Sequence, residues 1–154
     1  MVKVRIVGVV ALLVIAFVLT PFAMNAIKQA AYVFADDAGS VGLRAVDCWF
    51  EPDALWPTAD CYYLQVPEDY ARPAASLVAI PVVIFRSPAL FARDNPVLHL
   101  GGGGPGAPLG LDSALLVTHL LRQHDEFSLA LGRDLIFIDP RGTGLARPLL
   151  MCQD

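Results

Sequence analysis

Hydrophobic and polar positions divide the chain into three regimes. Ile6 to Leu19 is an unbroken apolar run apart from Gly8. A Gly/Ala/Asp-rich stretch follows, from Asp36 to about Val46. Beyond it, short apolar runs alternate with proline and glycine. Cys61 to Val66 (CYYLQV) is aromatic and β-branched and stops at Pro67, which predicts a strand. Leu77 to Phe85 (LVAIPVVIF) predicts a second, and Pro81 inside it points to an edge position or a bulge. Pro67 to Pro73 turns the chain between them, so the pair should form a hairpin. Pro96 to Leu100 and Asp134 to Ile138 predict two more strands, the last continuously apolar as for a strand covered on both faces. Between them Asp112 could N-cap a helix carrying Leu115, Leu116, His119, Leu120 and Leu121. Strand, helix and strand make one βαβ unit, and the class is α/β.

The first regime has a targeting pattern. Lys3 and Arg5 precede the apolar run, and no acid occurs before Asp36. The run has the size of a signal-peptide core, and stretched through Thr20 and Pro21 to Met24 it could just cross a bilayer as an apolar helix. Val33-Phe34-Ala35 offers a cleavage site. A cleaved signal and an uncleaved membrane anchor through residues 6–24 both stay open. Either way residues 1–35 act as the export element and the rest lies outside the cytoplasm, periplasmic, secreted or anchored. Residues 36–47 read as a linker.

Cysteine usage agrees with export. Cys48 and Cys61 flank a loop containing Pro52 and Pro57, and a local disulfide between them is expected in an oxidising compartment. Cys152 is left over, and none of the three has the spacing of a zinc or redox motif.

Composition narrows the partners. The 154 residues carry 11 basic and 15 acidic side chains, a net charge of −4. Lys3, Arg5 and Lys28 account for three of the basic ones, so the remainder carries eight against fifteen, a net of −7. An acidic surface cannot neutralise phosphates, and no nucleic-acid partner is expected. Only 17% of residues are charged while 56% are hydrophobic, which excludes a disordered chain.

Two glycine motifs carry the chemistry. The first, Gly101-Gly102-Gly103-Gly104-Pro105-Gly106, lies between a predicted strand and helix. It contains the spacing of a dinucleotide loop, with Glu126 twenty residues after Gly106. Pro105, however, removes an amide from any phosphate cradle, and Glu126 does not end a second strand. The alternative is an oxyanion loop: glycines let backbone N–H groups approach a tetrahedral intermediate without side chains in the way. The second motif, Asp139-Pro140-Arg141-Gly142-Thr143-Gly144, follows the last strand directly.

Taken together, the two motifs make the chain resemble the N-terminal portion of an α/β-hydrolase of the proline iminopeptidase and tripeptidyl aminopeptidase type. The likeness rests on Cys61 to Tyr70 (Cys-x-x-Leu-x-Val-Pro-x-Asp-Tyr), the hairpin, Gly103 to Gly106 and Asp139 to Gly144, and covers residues 48–152. The sequence departs from the family at Gly102, where relatives often carry His, and at Ala146, where Ser is common. The resemblance implies a partial hydrolase domain over 48–154 whose sheet is incomplete. It makes Gly103 or Gly104 the oxyanion-loop donor, and Asp139, Arg141, Gly142 and Gly144 a structural turn. It also implies a peptide substrate for the complete enzyme, with no cofactor and no metal.

Such an enzyme needs a serine on a Gly-x-Ser-x-Gly elbow, then an acid and a histidine. None of Ser40, Ser76, Ser87, Ser113 and Ser128 sits in that pattern. The catalytic Ser, Asp and His are therefore expected beyond this chain. Rival readings are a non-catalytic anchored interaction module and an exported esterase on the same fold. His99 reads as a packed strand histidine, and His119 and His124 as helix-surface residues. Arg141 is expected to brace its turn on a carboxylate. Trp49, Trp56, Tyr62 and Tyr63 are expected to pack beneath the disulfide loop.

Overall fold

A computed structural model describes residues 40–53, 56–74, 76–89, 93, 95–101, 106–124 and 132–150. The export element, Gly103, Gly104 and Cys152 lie outside the described residues. Five strands form one mixed sheet: β1 (Gly42–Val46), β2 (Ala59–Pro67), β3 (Leu77–Phe85), β4 (Val97–Leu100) and β5 (Leu135–Ile138). One helix, α1 (Ala114–His124), connects β4 to β5. The spatial order is β1-β2-β3-β5-β4, antiparallel except for the β4–β5 pair. The fold is thus α/β, with a hairpin followed by a βαβ unit whose strands are parallel neighbours.

Three expectations change. Residues 42–46, inside the stretch read as linker, form β1 and pair with β2 from Gly42↔Gln65 to Val46↔Cys61. Gly-Leu-Arg-Ala-Val has little strand propensity of its own; Leu43 is buried and cross-strand pairing supplies the rest. Second, β3 is an interior strand without a bulge, lying between β2 and β5. Pro81 fits because the β5 register starts one residue later, at Val82↔Ile138. Its carbonyl accepts the Asp139 N–H at 3.3 Å, so the missing N–H would point to the side where β5 has just ended. Third, the cap of α1 is Ser113. Its hydroxyl accepts the Leu116 N–H at 3.5 Å and its carbonyl the Val117 N–H at 2.9 Å, while Asp112 stays exposed.

The core lies between one face of the sheet and α1. Cys61 from β2, Val83 and Phe85 from β3, and Leu135 and Phe137 from β5 meet Val117, Leu120 and Leu121 from the helix, with Leu111 and Phe50 closing the ends. Parity along each strand selects this set, since alternate residues share a face. Phe85 is the hub: its ring lies 5.8 Å from Phe137, 6.3 Å from Phe50 and 6.3 Å from Trp56. Burying each such side chain is worth roughly 1.5–3 kcal/mol. Leu115 and Leu116, expected on the packed face, are exposed, because the inward stripe runs through Val117, Leu120 and Leu121.

Cys48 and Cys61 form the expected disulfide, with Cα atoms 5.1 Å apart. Trp49 meets Tyr63 edge-on at 5.1 Å, and Trp56 packs on Phe50 and Phe85. Tyr62 departs from the expectation: it alternates with Cys61 and Tyr63 along β2 and belongs to the opposite face.

Candidate functional site: two loops at the ends of β4 and β5

Because β4 and β5 are adjacent and parallel, the loops leaving their C-terminal ends emerge side by side. The first is the glycine-rich segment after Leu100, and the second is the turn beginning at Asp139. This is where an α/β sheet leaves a crevice for ligands. Asp139 joins the two loops. Its side chain is buried, at 1% exposure, and Oδ1 accepts the Leu109 N–H at 2.6 Å. Burial pushes the Asp139 carboxyl above its ordinary value and Asp112 adds to the rise, while the Leu109 and Leu145 amides pull it back.

The turn is closed by its own backbone. Thr143 donates from Oγ1 to the Pro140 carbonyl at 2.9 Å, and the Ala146 N–H reaches the Thr143 carbonyl at 2.8 Å. Gly144 has φ +53°, and a side chain there would begin 2.6 Å from Asp139 Oδ2 and 2.8 Å from Pro108 Cβ. Only glycine lets the turn come this close to the neighbouring loop. At Gly106, by contrast, no atom lies within 4 Å of where a side chain would begin. The last glycine of the first motif therefore borders open space.

The turn is also tied back to the sheet. Ala79 and Arg147 exchange both backbone hydrogen bonds at 2.8 Å, and the Tyr63 hydroxyl donates to the Leu145 carbonyl at 3.2 Å. The Arg147 guanidinium lies 5.4 Å from the Tyr63 ring centre. Arg141 does brace its turn, but on a carbonyl and not on a carboxylate: Nη1 donates to Glu68 O at 3.3 Å, and the guanidinium lies 6.0 Å from the Tyr70 ring. The reason is position, since the exposed Arg141 faces the backbone of the β2–β3 turn.

Of the histidines, His99 packs as expected, 5.6 Å from Phe137. His124 is not a surface residue. Its ring lies 4.6 Å from that of His99 and 6.1 Å from Phe137, and burial with the neighbouring His124 lowers the His99 pKa. The signal was available in the helical spacing of His124 from Leu120 and Leu121. His119 is exposed beside Gln123, at 3.1 Å. No group of three or more His, Cys, Asp and Glu side chains that could hold a metal occurs among the described residues.

With the geometry in place, the comparisons with known proteins bear on its class. No family model matches the chain. It is 35% identical over 94 residues to proteins named serine protease Hip1 from Mycobacterium tuberculosis and Mycobacterium bovis. That stretch is 60% of this chain and 16% of each relative. The chain is therefore a partial relative of a serine protease, which supports a serine hydrolase relationship of peptidase type.

Proposed function

We propose that the chain is the N-terminal part of an exported serine hydrolase of the proline iminopeptidase and tripeptidyl aminopeptidase type, acting on peptide N-termini. The observation that carries this reading is the Leu109–Asp139 link, which holds the two glycine motifs together at the C-terminal ends of neighbouring parallel strands. The strand order supports it, since β4 has β5 on one side, as the third strand of an α/β-hydrolase sheet has the fourth. The similarity to serine proteases supports it independently.

In this reading a backbone N–H of Gly103 or Gly104 donates to the oxyanion that forms when a serine attacks the scissile carbonyl. Its worth lies in being aimed before the charge develops. The serine and its base come from sequence beyond residue 154, and residues 1–35 take the protein out of the cytoplasm. The test is a substrate panel on the secreted product of the whole reading frame, comparing peptide anilides with free and acetylated N-termini and simple esters. Cleavage restricted to free N-termini supports the aminopeptidase. Turnover of esters alone assigns an esterase, and no turnover with no labelling by a fluorophosphonate rejects the hydrolase.

A further inference from the structure

The Asp139 carboxylate is worth more than a brace for its own turn. It sits at the exit of β5, is almost fully buried, and spends Oδ1 on an amide 30 residues away in the neighbouring loop. That amide belongs to Leu109, three residues beyond Gly106 and therefore in the C-terminal leg of the glycine loop. The leg has a second anchor to the same carboxyl, because Pro108 and Asp139 enclose Gly144 from two sides. The N-terminal end of the loop touches the same residue: a side chain at Gly101 would begin 3.0 Å from Leu109 Cδ2. Leu109 thus lies against one end of the loop and anchors the other.

We propose that Asp139 is a positioning residue for catalysis: by holding the Leu109 amide it sets where the glycine loop places its backbone donors. The assignment rests on reading residues 101–106 as an oxyanion loop. A donor displaced by a fraction of an ångström loses much of its differential hold on the transition state, while binding of the uncharged ground state changes little. The effect should therefore fall on kcat rather than KM. The charged groups around the carboxyl are few. Asp112, on the loop leading into α1, opposes its ionisation. Arg141 is turned towards Glu68 and Tyr70, and Arg147 towards Tyr63.

The experiment uses the product of the whole reading frame with Asp139→Ala and Asp139→Asn. Alanine removes the acceptor, whereas asparagine keeps an oxygen for the Leu109 N–H and removes the charge. Asp139→Ala should lower kcat by about 10-fold, less than the 10²–10³ lost with a whole oxyanion donor, and leave KM within about 2-fold. Asp139→Asn should recover most of kcat and lose the part of the acid limb of the pH profile that belongs to Asp139. In parallel, amide exchange of the segment around Leu109, corrected for intrinsic rates, should rise in Asp139→Ala and return towards wild type in Asp139→Asn. Wild-type kcat in Asp139→Ala, or unchanged exchange around Leu109, overturns the proposal. If the wild type itself hydrolyses nothing, the hydrolase reading fails, and the exchange measurement alone decides whether Asp139 holds the loop.

Discussion

Arg86 Nη1 donates to Asp134 Oδ2 at 3.1 Å, joining the residue after β3 to the residue before β5. The same arginine donates through Nε to Asp60 Oδ2 of β2 at 2.7 Å. Asp134 also accepts the Ser87 N–H on Oδ1 at 2.9 Å, and its carbonyl takes the Val97 N–H at 2.8 Å. One small cluster therefore fastens β2, β3, β4 and β5 at the end of the sheet away from the glycine loops. Its residues are partly dry, with 8% of the Asp134 side chain and 18% of that of Arg86 exposed.

Removing one member of such a cluster costs more than the pair is worth, because the other is left without its partner. Asp134→Ala should destabilise the chain by about 3 kcal/mol in denaturant titration. Asp60→Ala, with the carboxylate 30% exposed and Asp134 still in place, should cost about 1 kcal/mol or less. Equal losses for the two variants would contradict the cluster.

The disulfide closes a loop of sequence separation 13. In the chain-entropy account a bridge of this span stabilises by about 3 kcal/mol. The chain carrying both Cys48→Ser and Cys61→Ser should lose about that amount, and reduction of the wild type should reproduce most of it. Mass spectrometry of the non-reduced protein should find both thiols blocked. Identical denaturation midpoints with and without reductant would count against the bridge.

Two glycines of the turn should respond differently to alanine. Both have positive φ, +53° at Gly144 and +78° at Gly142. At Gly144 the new methyl meets the Asp139 carboxylate and Pro108, neither of which can move without dragging a loop. At Gly142 it meets the Leu150 side chain at 2.7 Å, and Leu150 is 74% exposed and free to turn away. Gly144→Ala should cost about 3 kcal/mol and Gly142→Ala about 1 kcal/mol, read from thermal unfolding.

How far the sequence carried can be argued from the same residues. β3 was legible at its observed bounds because Leu77 to Phe85 is apolar and β-branched throughout. β1 was not, since Gly-Leu-Arg-Ala-Val becomes a strand only through pairing with β2. Pro81 was misleading because its local rule assumes a neighbour on both sides, and β5 stops just short of it. The two motifs were visible as patterns, and their adjacency follows once β4 and β5 are parallel neighbours. The hydrogen bond from Leu109 to Asp139 had no local signal, since Leu109 donates from its backbone and any residue but proline could do so. Nor could the spacing of His119 and His124 show that His124 turns to His99, on a different element.

The pH dependence of stability should carry two opposite slopes. Burial, with Asp112 behind it, raises the Asp139 pKa above 3.8, so the folded state favours the protonated acid. Its contribution is complete below the unfolded pKa and is lost as pH rises through the folded value. Burial, with His124 behind it, lowers the His99 pKa below 6.5, so the folded state favours the neutral ring. Its contribution is complete above 6.5 and is lost as pH falls through the folded value. Asp139→Asn should remove the first slope and His99→Phe the second, in unfolding free energies measured from pH 3 to 8. Curves parallel to wild type for both would mean that neither group titrates abnormally.

The 154-residue chain on its own should resist labelling by a fluorophosphonate. Such a probe reports a serine activated by a base, and activation needs the two within hydrogen-bond reach. The serines whose contacts are described are otherwise engaged: Ser76 donates to Glu68, the Ser87 hydroxyl accepts the Ala89 N–H at 3.2 Å, and Ser113 caps α1. No serine of the sequence occupies a Gly-x-Ser-x-Gly elbow. His99, the best-buried imidazole near the loops, stacks on His124 and Phe137. Oxyanion donors without a nucleophile have nothing to stabilise, so hydrolysis of esters and peptide anilides should stay at the level of buffer. A labelled serine anywhere in the chain, mapped by peptide mass spectrometry, would show that the nucleophile lies inside these residues and would move the active centre away from the glycine loops.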